Sequence, residues 1–233
     1  MLRKILVCLV PIITILSSYY LYQSEYNISI NENDIEIAVS EFLNEKIELR
    51  QYKEVENLTF VVYTIEKDAR QGFTVLYRGM NQKYQLRFAT YFSPNTAFRI
   101  DRYKSLKNEY VVLYGKNIDE AINYVELNAS NSSELVLVEP NEYFIETIKY
   151  NNINYDYFEA RVLDIDMDDI TPEYKMKIKD KRAYGGSKHK AEIFLLYVYI
   201  TGFLIIGFIV TFSLVKRKDT SSNTTSEQRS TGE

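Results

Sequence analysis

The side chains most capable of chemistry are gathered in Leu163-Asp164-Ile165-Asp166-Met167-Asp168-Asp169-Ile170-Thr171. Asp164, Asp166 and Asp168 occupy positions 1, 3 and 5 of a D-x-D-x-D run, and hard carboxylate oxygens at that spacing suit Ca²⁺. An EF-hand loop also needs glycine at position 6 and glutamate at position 12, where this chain has Asp169 and Lys175. The favoured reading is therefore a strand with a carboxylate outer face and Leu163, Ile165 and Met167 turned inward. A weak extracellular Ca²⁺ site is the alternative, and no other cofactor is expected.

Arg99, Arg102, Lys104 and Lys107 form a second cluster, basic enough to hold a phosphate or carboxylate. They come without a glycine-rich loop, so a solvated turn is expected. No G-x-S-x-G, Walker A, H-E-x-x-H or C-x-x-C motif occurs. A single cysteine, Cys8, excludes a disulfide framework, and a single histidine, His189, excludes multi-histidine metal centres. A net charge of -4 excludes a broadly basic nucleic-acid binder. No catalytic residue is assigned, and the chain is expected not to be an enzyme. Sequons at Asn27, Asn57, Asn128 and Asn131 matter only in a eukaryotic secretory pathway.

The elements that would position these groups lie between two apolar runs. Ile5 to Tyr22 carries no charge and follows Arg3 and Lys4. Its length reaches the lower bound for a spanning helix, of about 17 residues. Without an A-x-A-like site it reads as an uncleaved anchor, with a cleaved signal or a lipoprotein at Cys8 as lesser alternatives. Ile193 to Val215 is also uncharged and ends at Lys216-Arg217-Lys218. At about 1.5 Å per residue it covers roughly 34 Å, enough to cross a bilayer. Gly202 and Gly207 are not spaced as GxxxG, so no helix-dimer face is expected. The basic flanks place both termini in the cytoplasm under the positive-inside rule. Lys175, Lys177, Lys179, Lys181, Arg182, Lys188 and Lys190 oppose it from the other side of the second helix. The acidic flank of the first helix (Glu25, Glu32, Asp34, Glu36) decides for the first arrangement, with residues 25–190 extracytoplasmic.

Between the runs, residues 25–174 hold 15 basic and 27 acidic side chains, whereas 175–190 hold seven basic residues and Asp180. An acidic domain is thus followed by a basic stalk containing Gly185-Gly186-Ser187. Asn33 and Glu36 resemble a capping box, and Ile35, Ala38, Val39, Phe42, Leu43 and Ile47 form one helical stripe. Strand patterns follow at 59–66, 73–78, 83–91 and 98–102, with Tyr84, Leu86 and Phe88 alternating onto one face. One helix and four meandering strands predict an α+β roll of cystatin or NTF2 type. Further strand patterns at 109–114, 122–127, 135–138, 143–149 and 157–166 predict a small β-sandwich-like unit. The expected organisation is an anchor at 1–24, helix plus sheet at 25–107, an all-β unit at 108–174, a stalk at 175–191, a membrane helix at 192–216, and a disordered cytoplasmic tail at 217–233.

The order of an amino-terminal anchor, a helix, Phe73-Thr74-Val75-Leu76-Tyr77, Tyr114-Gly115-Lys116-Asn117-Ile118-Asp119, Ile122-Asn123-Tyr124-Val125 and Tyr143-Phe144 resembles uncharacterised membrane-anchored cell-envelope proteins of Gram-positive bacteria. The resemblance covers about residues 33–171, and its motifs are short. That group carries Trp after the strand pair, whereas this chain has none. The resemblance implies a bacterial source and an extracytoplasmic location, and it transfers no catalytic residue.

The expected function is a membrane-anchored binding domain with a protein partner at the cell surface. The chain's 21 tyrosines would supply contact area with polar tips. The alternative is a small-ligand sensor with a cavity between helix and sheet, lined by Phe42, Tyr84 and Phe88.

Overall fold

The computed structural model describes residues 2–67, 70–92, 98–129, 132–149, 158–172, 184–187 and 190–227. The chain divides into two compact units, Met1–Asn27 with Lys188–Glu233, and Ile28–Ser187. The class is α+β, with apolar helices at the ends and antiparallel strands between them.

The first unit is a pair of helices, α1 (Leu2–Glu25) and α3 (Lys190–Glu227). Each contains a stretch long and apolar enough to cross a membrane, Lys4–Glu25 and Phe194–Lys216. Leu16 is 60% exposed and Phe208 72%, so these helices do not bury their apolar side chains as a soluble core helix would. They pack on each other at Gly207, where a Cβ would stand 2.4 Å from Thr14 Oγ1. The glycine thus serves close approach within the chain. The Tyr22 and Tyr26 rings stack with centroids 4.7 Å apart. α3 continues as helix to Glu227, through residues 217–227 that the sequence marked as a disordered tail.

The second unit opens with α2 (Glu32–Leu43). Its N-cap is Asn31, two residues before the expected start, and Asn31 Oδ1 accepts from the Asp34 N–H at 2.8 Å. Asn44 ends it in the left-handed conformation (φ 54°). Ile47, expected in the helical stripe, therefore begins a strand.

Five strands form sheet A, ordered β1-β2-β3-β4-β11: β1 (Ile47–Val55), β2 (Leu58–Ile65), β3 (Gln71–Arg78), β4 (Tyr84–Tyr91) and β11 (Tyr184–Ser187). Sheet B is β5-β6-β9: β5 (Phe98–Lys104), β6 (Glu109–Lys116) and β9 (Tyr143–Lys149). Sheet C is β10-β7-β8: β7 (Tyr124–Ala129), β8 (Ser132–Leu137) and β10 (Phe158–Leu163). β5, expected to extend the first sheet, pairs instead with β6 from Phe98↔Gly115 to Lys104↔Glu109. The boundary at residue 107 thus falls inside sheet B. β11 is a strand on the edge of β4 where the sequence suggested part of a solvated stalk. Lys190 and Ala191 of that stalk open α3, and its residues 175–183 and 188–189, like residues 150–157, lie outside the described residues.

Three apolar layers hold the unit together. Ile35 and Val39 of α2 pack with Val61, Tyr63, Ile65 and Leu76 on one face of sheet A. The other face presents Phe60, Val62, Phe73 and Val75 to Tyr110, Val112, Tyr114 and Ile145 of sheet B. The alternate residues of sheet B, including Val111, Leu113 and Phe144, pack with Val125, Leu127 and Val162 of sheet C. β2 and β6 are therefore covered on both sides, which is why they read as unbroken apolar runs. Phe42, expected in this core, is only partly buried at the rim of the α2 layer.

Two register shifts redirect side chains. Between Thr74↔Ala89 and Leu76↔Leu86, β4 carries one residue more than β3. Tyr84 and Leu86 face α2, whereas Phe88 turns to sheet B and stacks on Tyr103 at 6.1 Å. A second shift, between Leu49 and Gln51, lets β1 place Leu49 under α2 while Lys53 reaches Glu146 of β9 at 2.6 Å. At Gly72, opposite Tyr63, a Cβ would fall 2.0 Å from the tyrosine ring, so the ring covers the glycine. Tyr63 Oη completes the contact by donating to Thr90 O at 2.7 Å.

Candidate functional site

The carboxylate run is a turn, not a strand face. β10 ends at Leu163, and Asp164 Oδ1 accepts from the N–H groups of Asp166 (3.0 Å) and Asp168 (2.9 Å). Leu163 bridges to Asp169 across the turn, and Met167 adopts φ 68°. Ile165 and Met167, expected to point inward, are 72% and 49% exposed. An aspartate that accepts backbone N–H groups closes a turn by itself, and this overrode the alternation. Thr171 donates to Asp169 and holds its carboxyl below the usual carboxylate range. Among the described residues, no three His, Cys, Asp or Glu side chains group as metal ligands. Lys175 lies outside them.

The basic cluster is split by strand alternation. Arg99 shares one side of β5 with Asp101 and Tyr103, and its guanidinium lies 4.2 Å over the Phe92 ring. Arg102 and Lys104 share the other side with Ile100, and Lys104 sits 3.7 Å from Glu109. Lys107 belongs to the turn between β5 and β6, where Ser105 and Asn108 donate to the Glu56 carboxylate and lower its pKa. The proposed sensor lining is divided as well: Phe42 and Tyr84 belong to the α2 layer, and Phe88 packs on the opposite face of sheet A.

Among the described tyrosines of the unit, four are turned into the core rather than outward. Tyr63, Tyr84, Tyr110 and Tyr114 are buried, and Tyr114 stacks on Phe73 at 3.7 Å while donating to Asp101 Oδ2 at 2.5 Å.

The surface that stands out is the outer face of sheet C, which no sequence motif marks. The register places Leu137, Tyr124 and Leu163 in one row, Leu135, Glu126 and Arg161 in the next, and Ser133, Asn128 and Glu159 in the third. Leu135 is 50% exposed and Leu137 64%. Glu126 accepts from Asn128 Nδ2 and Ser133 Oγ, both at 3.0 Å, which lowers its pKa and keeps it charged. The chain around these strands, which also includes β9 of sheet B, is strongly acidic: residues 117–172 hold 13 acidic and two basic side chains, whereas residues 28–116 hold 12 and 13. The absence of Lys and Arg from 117 to 148 was the readable signal. Buried Asn117 braces the layer by donating to Ile122 O (2.9 Å) and accepting from Ile122 N (2.8 Å). Comparison with known proteins adds no likeness: no family model matches the chain, and neither a curated protein nor a solved structure matches it.

Proposed function

We propose that this chain is a membrane-tethered, non-enzymatic binding domain on the outer side of a bacterial cell membrane. In this reading α1 and α3 cross the bilayer, both termini are cytoplasmic, and Ile28–Ser187 meets a protein partner outside. Its helix-on-sheet half would be a roll of cystatin or NTF2 type. The observation that carries the proposal is one compact β-rich unit with an apolar, span-length helix at each end. Two helices inserted side by side would hold the unit beside the bilayer at two points. Arg3 and Lys4 at the start of the first span and Lys216-Arg217-Lys218 at the end of the second support the orientation. The acidic, partly apolar face of sheet C is the surface that supports binding, since exposed apolar patches rimmed by charge mark interaction sites.

The test is a single cysteine at Leu106, which is 84% exposed in the turn between β5 and β6. In a Cys8→Ser background, Leu106→Cys should react with a membrane-impermeant maleimide on intact cells. Reaction only after lysis would invert the topology.

A further inference from the structure

We propose that β8 accepts an added strand from a separate, basic polypeptide whose apolar and cationic side chains alternate. This rests on the reading of the chain as a tethered binding domain, and it names the kind of partner and where it docks. β8 pairs with β7 on one side and with no strand on the other among the described residues. Its register runs from Tyr124↔Leu137 to Ala129↔Ser132 without a shift, so the edge is regular along its length. A regular, unpaired edge offers a row of N–H and C=O groups to another chain.

The other five sheet edges are more heavily guarded than β8. β1 has a register shift and the charges Glu48, Arg50, Lys53 and Glu54. β5 carries Arg99, Asp101, Arg102 and Lys104. β9 carries Glu146 and Lys149, and β10 carries Glu159 and Arg161. β11 is four residues long and contains Gly185 and Gly186. β8 has one charge, Glu134, and shows Leu135 and Leu137 to solvent. Short strands, bulges and charges are the usual defences against strand addition. β8 has no bulge and a single charge, the lightest defence among the six edges, and this marks it as a docking site.

Charge selects the occupant. The strands of sheet C carry Glu126, Glu134 and Glu159 against Arg161, so a second copy pairing edge to edge through β8 would set like charges side by side and be repelled. A cationic strand would be drawn in by the same field. Its apolar side would lie beside Leu135 and Leu137, and its cationic side beside Glu134.

The experiment uses the full chain in zwitterionic micelles and a labelled peptide of about nine residues, alternating lysine and valine, enough to span a typical strand. A control alternates lysine and proline: its charge is equal, but its backbone favours the polyproline conformation over a strand. The Lys/Val peptide should bind at least about tenfold more tightly than the control, a factor worth roughly 1.4 kcal/mol. Leu135→Lys with Leu137→Lys should weaken it by about tenfold or more with the melting transition unchanged, because both side chains are exposed. Glu134→Lys should weaken it as well, by a route that leaves the apolar seat intact. Equal binding of both peptides would overturn strand addition and leave only a diffuse acidic field. Self-association abolished by the leucine changes would overturn it in favour of a second copy. Failure of the Lys/Val peptide to bind at low salt would overturn it outright. None of these outcomes bears on the maleimide topology, which tests the tethered-domain reading separately.

Discussion

The layer between sheets A and B and the layer between sheets B and C share the strands of sheet B, yet they are filled with different chemistry. The first is aromatic: Phe60, Phe73, Phe92, Tyr103, Tyr110 and Tyr114 meet there, and the Phe73–Tyr114 stack is its centre. The second is mostly aliphatic, with Phe98 and Phe144 among Ile100, Val111, Leu113, Val125, Leu127 and Val162. A tyrosine layer gains area and ring stacking, but each buried hydroxyl then needs a partner and must stay neutral. An aliphatic layer carries neither demand. The contrast teaches that part of this chain's tyrosine richness packs between two sheets, where Tyr77, Tyr103, Tyr110, Tyr114 and Tyr143 meet. It also gives the two layers different ways to fail.

The largest difference should appear at high pH. Burial pushes the phenols of Tyr103 and Tyr114 well above their ordinary value of 10.0, and the nearby Asp101 carboxylate adds to the shift. A folded pKa raised above the unfolded one contributes stability that is fully present below pH 10 and is lost as pH rises through the folded value. An Ile28–Ser187 fragment should therefore unfold cooperatively above about pH 10, with these phenols ionising in the same step. A smooth tyrosine titration with the near-ultraviolet circular dichroism retained would remove the distinction between the layers.

At neutral pH, Phe73→Ala should cost about 3 to 5 kcal/mol, because the ring is fully buried and stacked on both Phe60 and Tyr114. Phe42→Ala should cost less, about 1 to 2 kcal/mol, since Phe42 only rims the α2 layer. Urea unfolding of the two variants gives the order. The reverse order would move the mechanical centre from the A/B layer to the helix. A smaller effect is expected from Tyr114→Phe, about 1.5 kcal/mol, which keeps the stack and removes only the hydrogen bond to Asp101. It should leave the B/C layer untouched, so an altered hydrogen-exchange pattern in β7 and β10 would show that the layers are coupled.

The apolar helices were readable because some twenty uncharged residues in a row leave little else to be. β2, β3, β6 and β9 were readable as β-branched and aromatic runs bounded by turns. β1 was not, because Ile47 continues a helical stripe by spacing and Glu48, Arg50, Lys53 and Glu54 disguise an edge strand as a polar segment. The turn at Asp164 was misread for a related reason: alternation predicts a strand only when the backbone has no better local partner than the next strand.

Local pattern thus determined, without any coordinates, the two membrane-length helices, the order of most strands and the acidic character of the domain. Partnership was left to the tertiary structure. Alternation is the same whichever sheet a strand joins, so nothing local moved β5 from the first sheet to the second. One extra residue in β4 reversed the side on which Phe88 lies, because side chains alternate with a period of two and a bulge shifts the phase. The same holds for β8. Its composition is ordinary, and only the fold leaves it as a lightly guarded edge on the most acidic sheet of the molecule.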